Sequence, residues 1–158
     1  MDKFEYTALG QTLYHCVLPN GLNIYVDERP EYGKQFAFFA TRYGGMDLRF
    51  RGEDGEWMET PAGVAHFLEH KTFDTEDGNA LQRMAANGVN PNAFTSASVT
   101  GYYFDGVQGF EENLRTLLSF VSVPWFTPES VDKEQGIIGQ EIRMCEDDPN
   151  DEAYYRLL

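Results

Sequence analysis

The chain has 158 residues, 42% of them hydrophobic and 15% aromatic, which is enough apolar material for a sizeable core and excludes a disordered chain. Its 12 basic and 26 acidic residues give a net charge of −14, which argues against nucleic acid or an anionic membrane as the main partner. No apolar run reaches the roughly 20 residues that a membrane-spanning helix needs.

The N-terminus and the cysteines indicate the compartment. The first residues lack the basic and apolar regions of a signal peptide. Cys16 and Cys145 lie far apart and in no CxxC spacing, which fits a reducing environment better than a disulfide framework. We therefore expect a cytoplasmic protein whose residues 1–158 form a single domain.

Strands are predicted in the first third of the chain. Two extended runs, 13–18 and 22–26, are joined at Pro19-Asn20-Gly21, and Asn-Gly between apolar runs predicts a hairpin turn. Residues 36–43 are rich in aromatic side chains and predict a buried strand.

Helices dominate the rest. Thr60 is a suitable N-cap and Pro61 a suitable first residue for a helix that runs to about Phe73. Further helices are predicted at 80–86, at 110–121, from 128 to about 145 with Thr127 as cap, and in a short segment after 149. Between them, residues 92–96 and 98–107 alternate as strands do.

This order of elements predicts the fold class. Strands and helices come in groups and do not alternate strictly. We expect an α+β fold, with a mixed, largely antiparallel sheet and helices packed on one face.

The segment His66-Phe67-Leu68-Glu69-His70 carries the chemistry. Residues four apart on a helix share a face, so both imidazoles can reach one metal ion, and neutral imidazole is a good zinc ligand. Glu69 can lie beside the metal and accept a proton from water that the metal has made more acidic. The pattern H-x-x-E-H is that of the inverzincin metallopeptidases.

The alternative is a pair of histidines that only satisfy hydrogen bonds in the core. Two observations weaken it. The chain has three histidines and two of them fall in this motif. Apolar residues surround the pair, and burying such polar groups without a function is costly.

A third ligand is expected in the longest predicted helix. Glu134 and Glu141 are two turns apart and share a face, which suggests one ligand and one carboxylate that orients a histidine. The alternative is that both are ordinary exposed carboxylates. Gly136 and Gly139 are unfavourable in a helix and suggest close packing, for instance against the histidine helix.

These segments resemble the M16 (pitrilysin) family of zinc peptidases over nearly the whole chain. Residues 60–74, with HFLEHK, look like the zinc helix of bacterial members. Residues 134–144 resemble the second helix, whose later glutamate binds zinc. Residues 92–96 and 102–104 are similar to the strands after the zinc helix, and 19–22 to the opening hairpin.

The resemblance implies a zinc endopeptidase with one Zn²⁺ per chain. Its ligands would be His66, His70 and Glu141, its general base Glu69, and Glu134 a supporting carboxylate.

The resemblance also implies partners. Asn92, Ala93 and Phe94 match the edge strand that pairs with the extended peptide substrate in this family. Without the resemblance, Asn92 after Pro91 is equally well explained as a turn residue. Homodimers or heterodimers of M16-type subunits are expected. Nucleic acid and membranes are not expected as partners.

The chain is short for the family, whose members consist of two homologous halves, each longer than 158 residues. We therefore expect a partial N-terminal zinc-binding domain, and a non-catalytic subunit or an inactive fragment stays an alternative. A remote alternative is an enzyme like the S-ribosylhomocysteine lyases, which share H-x-x-E-H but take a cysteine as third ligand, here Cys145.

Overall fold

The computed structural model describes residues 1–157. The chain divides into two compact units, Met1–Lys34 and a larger unit that begins at Gln35. The first unit is an antiparallel sheet with the order β1-β2-β3, in which the strands are β1 (Asp2–Tyr6), β2 (Gln11–Val17) and β3 (Asn23–Asp27). The predicted hairpin is confirmed, and Gly21 supplies the positive φ of its turn, +86°. The single domain over the whole chain stays a prediction.

The second unit contains a three-stranded antiparallel sheet with the order β4-β10-β9. Its strands are β4 (Gln35–Thr41), β9 (Val89–Thr95) and β10 (Thr100–Gly106). Two short antiparallel ribbons pair β5 (Arg49–Arg51) with β6 (Trp57–Glu59) and β7 (Asp74–Thr75) with β8 (Gly78–Asn79). The strand β9 lies at one edge of the sheet.

The described part of this unit contains five helices. They are α1 (Val64–Thr72), α2 (Ala80–Ala86), α3 (Phe110–Ser122), α4 (Pro128–Asp147) and α5 (Pro149–Leu157). The predicted α+β class is confirmed, although every strand pairing in the described residues is antiparallel and the strands form separate sheets. None of the helices described within residues 1–157 is long and apolar enough to cross a membrane.

The two faces of the larger sheet differ. Side chains alternate along β10, so Tyr102 and Phe104 are buried on one face while Tyr103 lies on the other. The buried face packs against helices in a core of Ala37, Phe73, Ala80, Met84, Val89, Tyr102, Phe104, Leu117 and Phe120. The predicted placement of helices on one face of the sheet is thereby confirmed.

The start of the first helix differs from the prediction. The helix α1 begins at Val64 after Gly63, whose φ is +89°, and not at Thr60 and Pro61. The backbone N–H of Thr60 donates to the carbonyl of Leu48 at 2.9 Å, next to the β5–β6 ribbon. The positive φ of Gly63 is not a helical conformation, so α1 can begin only after Gly63 and Thr60 is too far from its first turn to cap it.

The longest helix begins as predicted. Thr127 caps α4, and a capping box with Ser130 satisfies two backbone N–H groups that the first turn leaves free. The expectation that Gly136 and Gly139 mark a close helix contact is wrong. A Cβ atom on Gly136 would meet no atom within 4 Å, and one on Gly139 would meet only the end of Arg143, at 3.9 Å.

Candidate metal centre

The helices α1 and α4 pack together and bring the predicted ligands to one place. His66 and His70 are one turn apart on α1, with ring centroids 4.7 Å apart and planes at 79°. Their side chains are 40% and 25% exposed, so both rings remain reachable from solvent. This is the common face that their spacing predicts.

Glu141 reaches the histidines from α4. Its Oε2 atom lies 3.5 Å from Nε2 of His66 and 3.7 Å from Nε2 of His70. Two ligands that each lie about 2.05 Å from a tetrahedral zinc ion are separated by roughly 3.4 Å. The observed distances are therefore slightly longer than those between ligand atoms around one metal ion.

The donor set fits zinc. One ligand atom from each of His66, His70 and Glu141 lies within 4.8 Å of the others. The Glu141 Oε2 atom is buried, yet no hydrogen-bond donor in the described residues satisfies it. A buried, unpaired carboxylate oxygen is costly, and a cation between it and two imidazoles would remove that cost. Cys145 is not in this group, which does not favour the lyase alternative.

Glu134 holds one of the two histidines. Its Oε1 atom lies 2.9 Å from Nδ1 of His70, and the residue is only 8% exposed. With the proton on Nδ1, His70 donates to this carboxylate and keeps the lone pair of Nε2 for a metal ion. Glu134 thus contacts a predicted ligand, and its role as a supporting carboxylate stays a prediction.

Glu69 lies on α1 between the histidines, but it points toward the sheet. It is 8% exposed, and its Oε2 atom accepts a hydrogen bond of 2.8 Å from the Thr95 hydroxyl at the end of β9. The hydroxyl fixes one carboxylate oxygen and limits the rotation of the group. The sequence analysis did not single out Thr95. Side chains alternate along a strand, so Thr95 lies on the same face as Ala93, which packs against the core. This alternation is the feature of the sequence that predicts an inward-facing Thr95.

Tyr102 is a second neighbour of Glu69 that the sequence analysis did not assign to the site. Burial raises the pKa of the Tyr102 phenol, a hydrogen bond with Thr72 lowers it, and the nearby carboxylate of Glu69 raises it. The net direction is upward from 10.0, so the hydroxyl is neutral at ordinary pH. The signal in the sequence was the alternation of β10, which places Tyr102 on the inner face.

The predicted substrate segment forms the edge strand beside α1. Asn92 and Phe94 are exposed on β9, while Ala93 between them is half-buried. The Oδ1 atom of Asn92 accepts a hydrogen bond of 2.8 Å from the backbone N–H of Ala93. The strand β9 contacts α1, and the role of these three residues in substrate binding stays a prediction.

An open groove lies beside His66 and Glu141. It has a volume of about 690 Å³. Its lining residues are His66, Glu141, Ile142, Cys145, Glu146 and Glu152. The candidate ligands His66 and Glu141 therefore face an open groove.

Taken together, the α+β unit, the H-x-x-E-H helix and the glutamate from a second helix define a protein with a candidate metal site. Comparison with known proteins agrees. Residues 53–158 match the family model for insulinase (peptidase family M16). The chain belongs to peptidase family M16, as the resemblance implied.

Individual relatives show the same relationship. The chain is 44% identical over 160 residues to the uncharacterised zinc protease YmfH of Bacillus subtilis, covering 100% of this chain and 37% of that protein. It resembles the crystal structure of an M16-like peptidase from Alicyclobacillus acidocaldarius with a TM-score of 0.87 and 41% identity, covering 93% of this chain and 34% of the other.

More distant structures share the fold. Pitrilysin matches with a TM-score of 0.71 at 16% identity, covering 90% of this chain and 16% of its own. The chain thus spans roughly a third or less of the length of these relatives.

Proposed function

We propose that this chain carries the catalytic site of a zinc endopeptidase of the M16 type, with Glu69 as general base. One observation carries the proposal. His66, His70 and Glu141 converge while the buried Glu141 Oε2 atom has no donor among the described residues. Membership of family M16 supports it, and so do relatives that are named zinc proteases.

Each side chain has a part in the hydrolysis. Bound zinc supplies Lewis acidity, which lowers the pKa of water and polarises the peptide carbonyl. His66, His70 and Glu141 would hold it, and Glu134 fixes the orientation of His70. Glu69 accepts a proton from the attacking water as the new C–O bond forms. Glu69 then returns the proton to the departing amine as the C–N bond breaks.

The substrate is proposed to be an extended peptide that adds to the free edge of β9. An edge strand offers unpaired backbone groups for this purpose. The Asn92 side chain already occupies the N–H of Ala93, so a peptide that uses this N–H has to displace it. If Asn92 holds the peptide backbone, Asn92→Ala will raise KM more than it lowers kcat, whereas an unchanged KM contradicts this role.

The test of the function separates metal binding from turnover. Zinc content and peptide cleavage are measured for the wild type, Glu69→Gln, and the control Glu129→Gln, which changes an exposed carboxylate at the start of α4. The assays use this chain and the full-length gene product. We expect one zinc per chain in all three proteins and a loss of at least ~100-fold in kcat only for Glu69→Gln.

Three results contradict parts of the proposal. Wild-type protein without stoichiometric zinc, purified without chelator, contradicts the metal site. If Glu69→Gln cleaves the peptide as fast as the wild type does, the assignment of Glu69 as general base is contradicted. Zinc binding without turnover in both the chain and the full-length product indicates the alternative, a non-catalytic M16 subunit.

A further inference from the structure

Lys71 is buried completely, directly after His70 in α1. A fully buried ammonium group is rare because the charge loses its water, so its partners have to replace that solvation. The Nζ atom lies 3.0 Å from Oδ2 of Asp74 and donates to the backbone carbonyl of Trp125 at 3.2 Å. The rings of Trp125 and Phe126 each lie 5.5 Å from Nζ.

These contacts join α1 to the entry of α4. Trp125 and Phe126 come immediately before Thr127, the residue that caps α4. His70, the preceding residue of α1, contacts Glu134 within α4. Two consecutive residues of α1 therefore hold α4 at two points, its entry and its second turn. Two points fix the direction of a helix axis, whereas one leaves the helix free to tilt.

The direction of α4 decides where Glu141 lies. Glu141 is seven residues beyond Glu134, which is about 10 Å along a helix. A tilt of about 5° around the Glu134 contact would therefore move Glu141 by roughly 1 Å. Metal–ligand distances are defined to within about 0.2 Å, so a shift of that size would disrupt coordination.

We propose that Lys71 is a positioning residue for the metal site: it fixes the entry of α4 and thereby places Glu141 against His66 and His70. The proposal rests on the proposed zinc site. Lys71 itself binds no metal, because its ammonium group is directed to Asp74 and to the Trp125 carbonyl.

A positioning role and a purely structural role predict different results. Removing one partner of a buried ion pair is destabilising, whereas replacing both partners by uncharged groups of similar volume is often neutral or stabilising for the fold. The variant Lys71→Met combined with Asp74→Asn should therefore preserve the fold while it removes the bond to the Trp125 carbonyl. If Lys71 only stabilises the fold, its replacement changes the melting temperature and leaves zinc affinity unchanged.

The experiment compares four forms of the protein. They are the wild type, Lys71→Met, the double variant Lys71→Met with Asp74→Asn, and the control Lys133→Met. The double variant leaves no unpaired carboxylate, in case the single variant folds poorly. The control removes an exposed lysine from α4. Three quantities are measured for each form. The Zn²⁺ Kd is determined by chelator competition. The Co²⁺ absorption spectrum is recorded at saturating metal, and the melting temperature is measured without metal.

We expect both Lys71 forms to fold. Their Zn²⁺ affinity should be at least ~10-fold lower than that of the wild type, because residues that support metal ligands contribute that much to affinity in other metal sites. Their Co²⁺ spectra should differ from that of the wild type, and Lys133→Met should match the wild type. A folded Lys71 form with wild-type Kd and Co²⁺ spectrum overturns the proposal. So does failure of both Lys71 forms to fold, which makes Lys71 a folding residue.

A wild-type protein that binds no Zn²⁺ gives a different result. It contradicts the proposed function itself, and the role of Lys71 falls with it. Wild-type Zn²⁺ binding together with unchanged affinity in Lys71→Met contradicts the positioning role alone.

Discussion

His70 and Glu134 are 64 residues apart in the sequence, yet His70 Nδ1 and Glu134 Oε1 lie 2.9 Å apart. This contact links α1 to α4 next to the candidate metal ligands. Because the carboxylate is buried, its interaction with the imidazole is weakly screened by water. The contact keeps the ring oriented and directs Nε2 toward Glu141, whose Oε2 lies 3.7 Å from it.

Glu134→Gln is expected to weaken zinc binding by about tenfold, and Glu134→Ala by up to about a hundredfold, because supporting carboxylates orient the ligand histidine and raise its basicity. Zn²⁺ affinity is measured by competition with a chelator. Glu129→Gln is the matched control on the same helix. Equal affinities for the wild type and Glu134→Ala would show that the contact has no influence on the metal.

Substitution of any one ligand should remove most of the zinc affinity. His66→Ala, His70→Ala and Glu141→Gln each take away one of three protein ligands, so losses above ~100-fold are expected, more than for the supporting carboxylate. Metal content after dialysis is the measurement. His15→Ala is the control, since His15 lies in the first unit, where it contacts Asn23 and stacks on Tyr25. Full zinc content in Glu141→Gln would exclude that residue as a ligand.

Local patterns in the sequence predicted the parts of the site that depend on helix periodicity. The spacing of His66 and His70 predicts a common face, and the spacing of Glu134 and Glu141 predicts another. Neither spacing predicts that the two faces meet, because the contact between α1 and α4 depends on how segments far apart in the sequence pack together. The resemblance to family M16 supplied that step, and the structure brings the four residues together.

Other features of the structure differ from the prediction or were not predicted. Thr60 has the side chain of a helix cap, but the positive φ of Gly63 delays the start of α1 until Val64. Gly136 and Gly139 were interpreted as a close contact, yet their surroundings are open. Lys71 and Thr95 were not assigned roles, since their importance comes from partners 54 and 26 residues away.

Thr95 should control the activity of Glu69 without affecting the metal. Thr95→Val removes the hydroxyl that donates to Glu69 Oε2 while it keeps the shape of the side chain. A hydrogen bond to a charged group contributes ~1.5–3 kcal/mol, so kcat is expected to fall by about one to two orders of magnitude. Peptide cleavage and zinc content are measured together. Thr95→Ser, which keeps the hydroxyl, should retain most of the activity, and equal losses in both variants would contradict this role.

Tyr102 should make the fold sensitive to alkaline pH. Its pKa in the folded chain is raised above 10.0, chiefly by burial, so the folded state holds the phenol proton more tightly than the unfolded state. This stabilisation is fully present below pH 10 and is lost as the pH rises through the folded pKa. Between the two pKa values the free energy of unfolding falls by about 1.4 kcal/mol per pH unit.

Tyr102→Phe removes this ionisation and should flatten the alkaline decline, although the loss of the hydrogen bond with Thr72 costs ~1 kcal/mol at neutral pH. Urea unfolding at pH 8 and at pH 11 measures both effects. Tyr103→Phe is the matched control, because Tyr103 lies on the opposite face of β10 among the exposed aromatic rings. If Tyr102→Phe and Tyr103→Phe lose equal stability between the two pH values, Tyr102 is not the group that titrates. A smaller loss in Tyr102→Phe alone identifies the phenol beside Glu69 as that group.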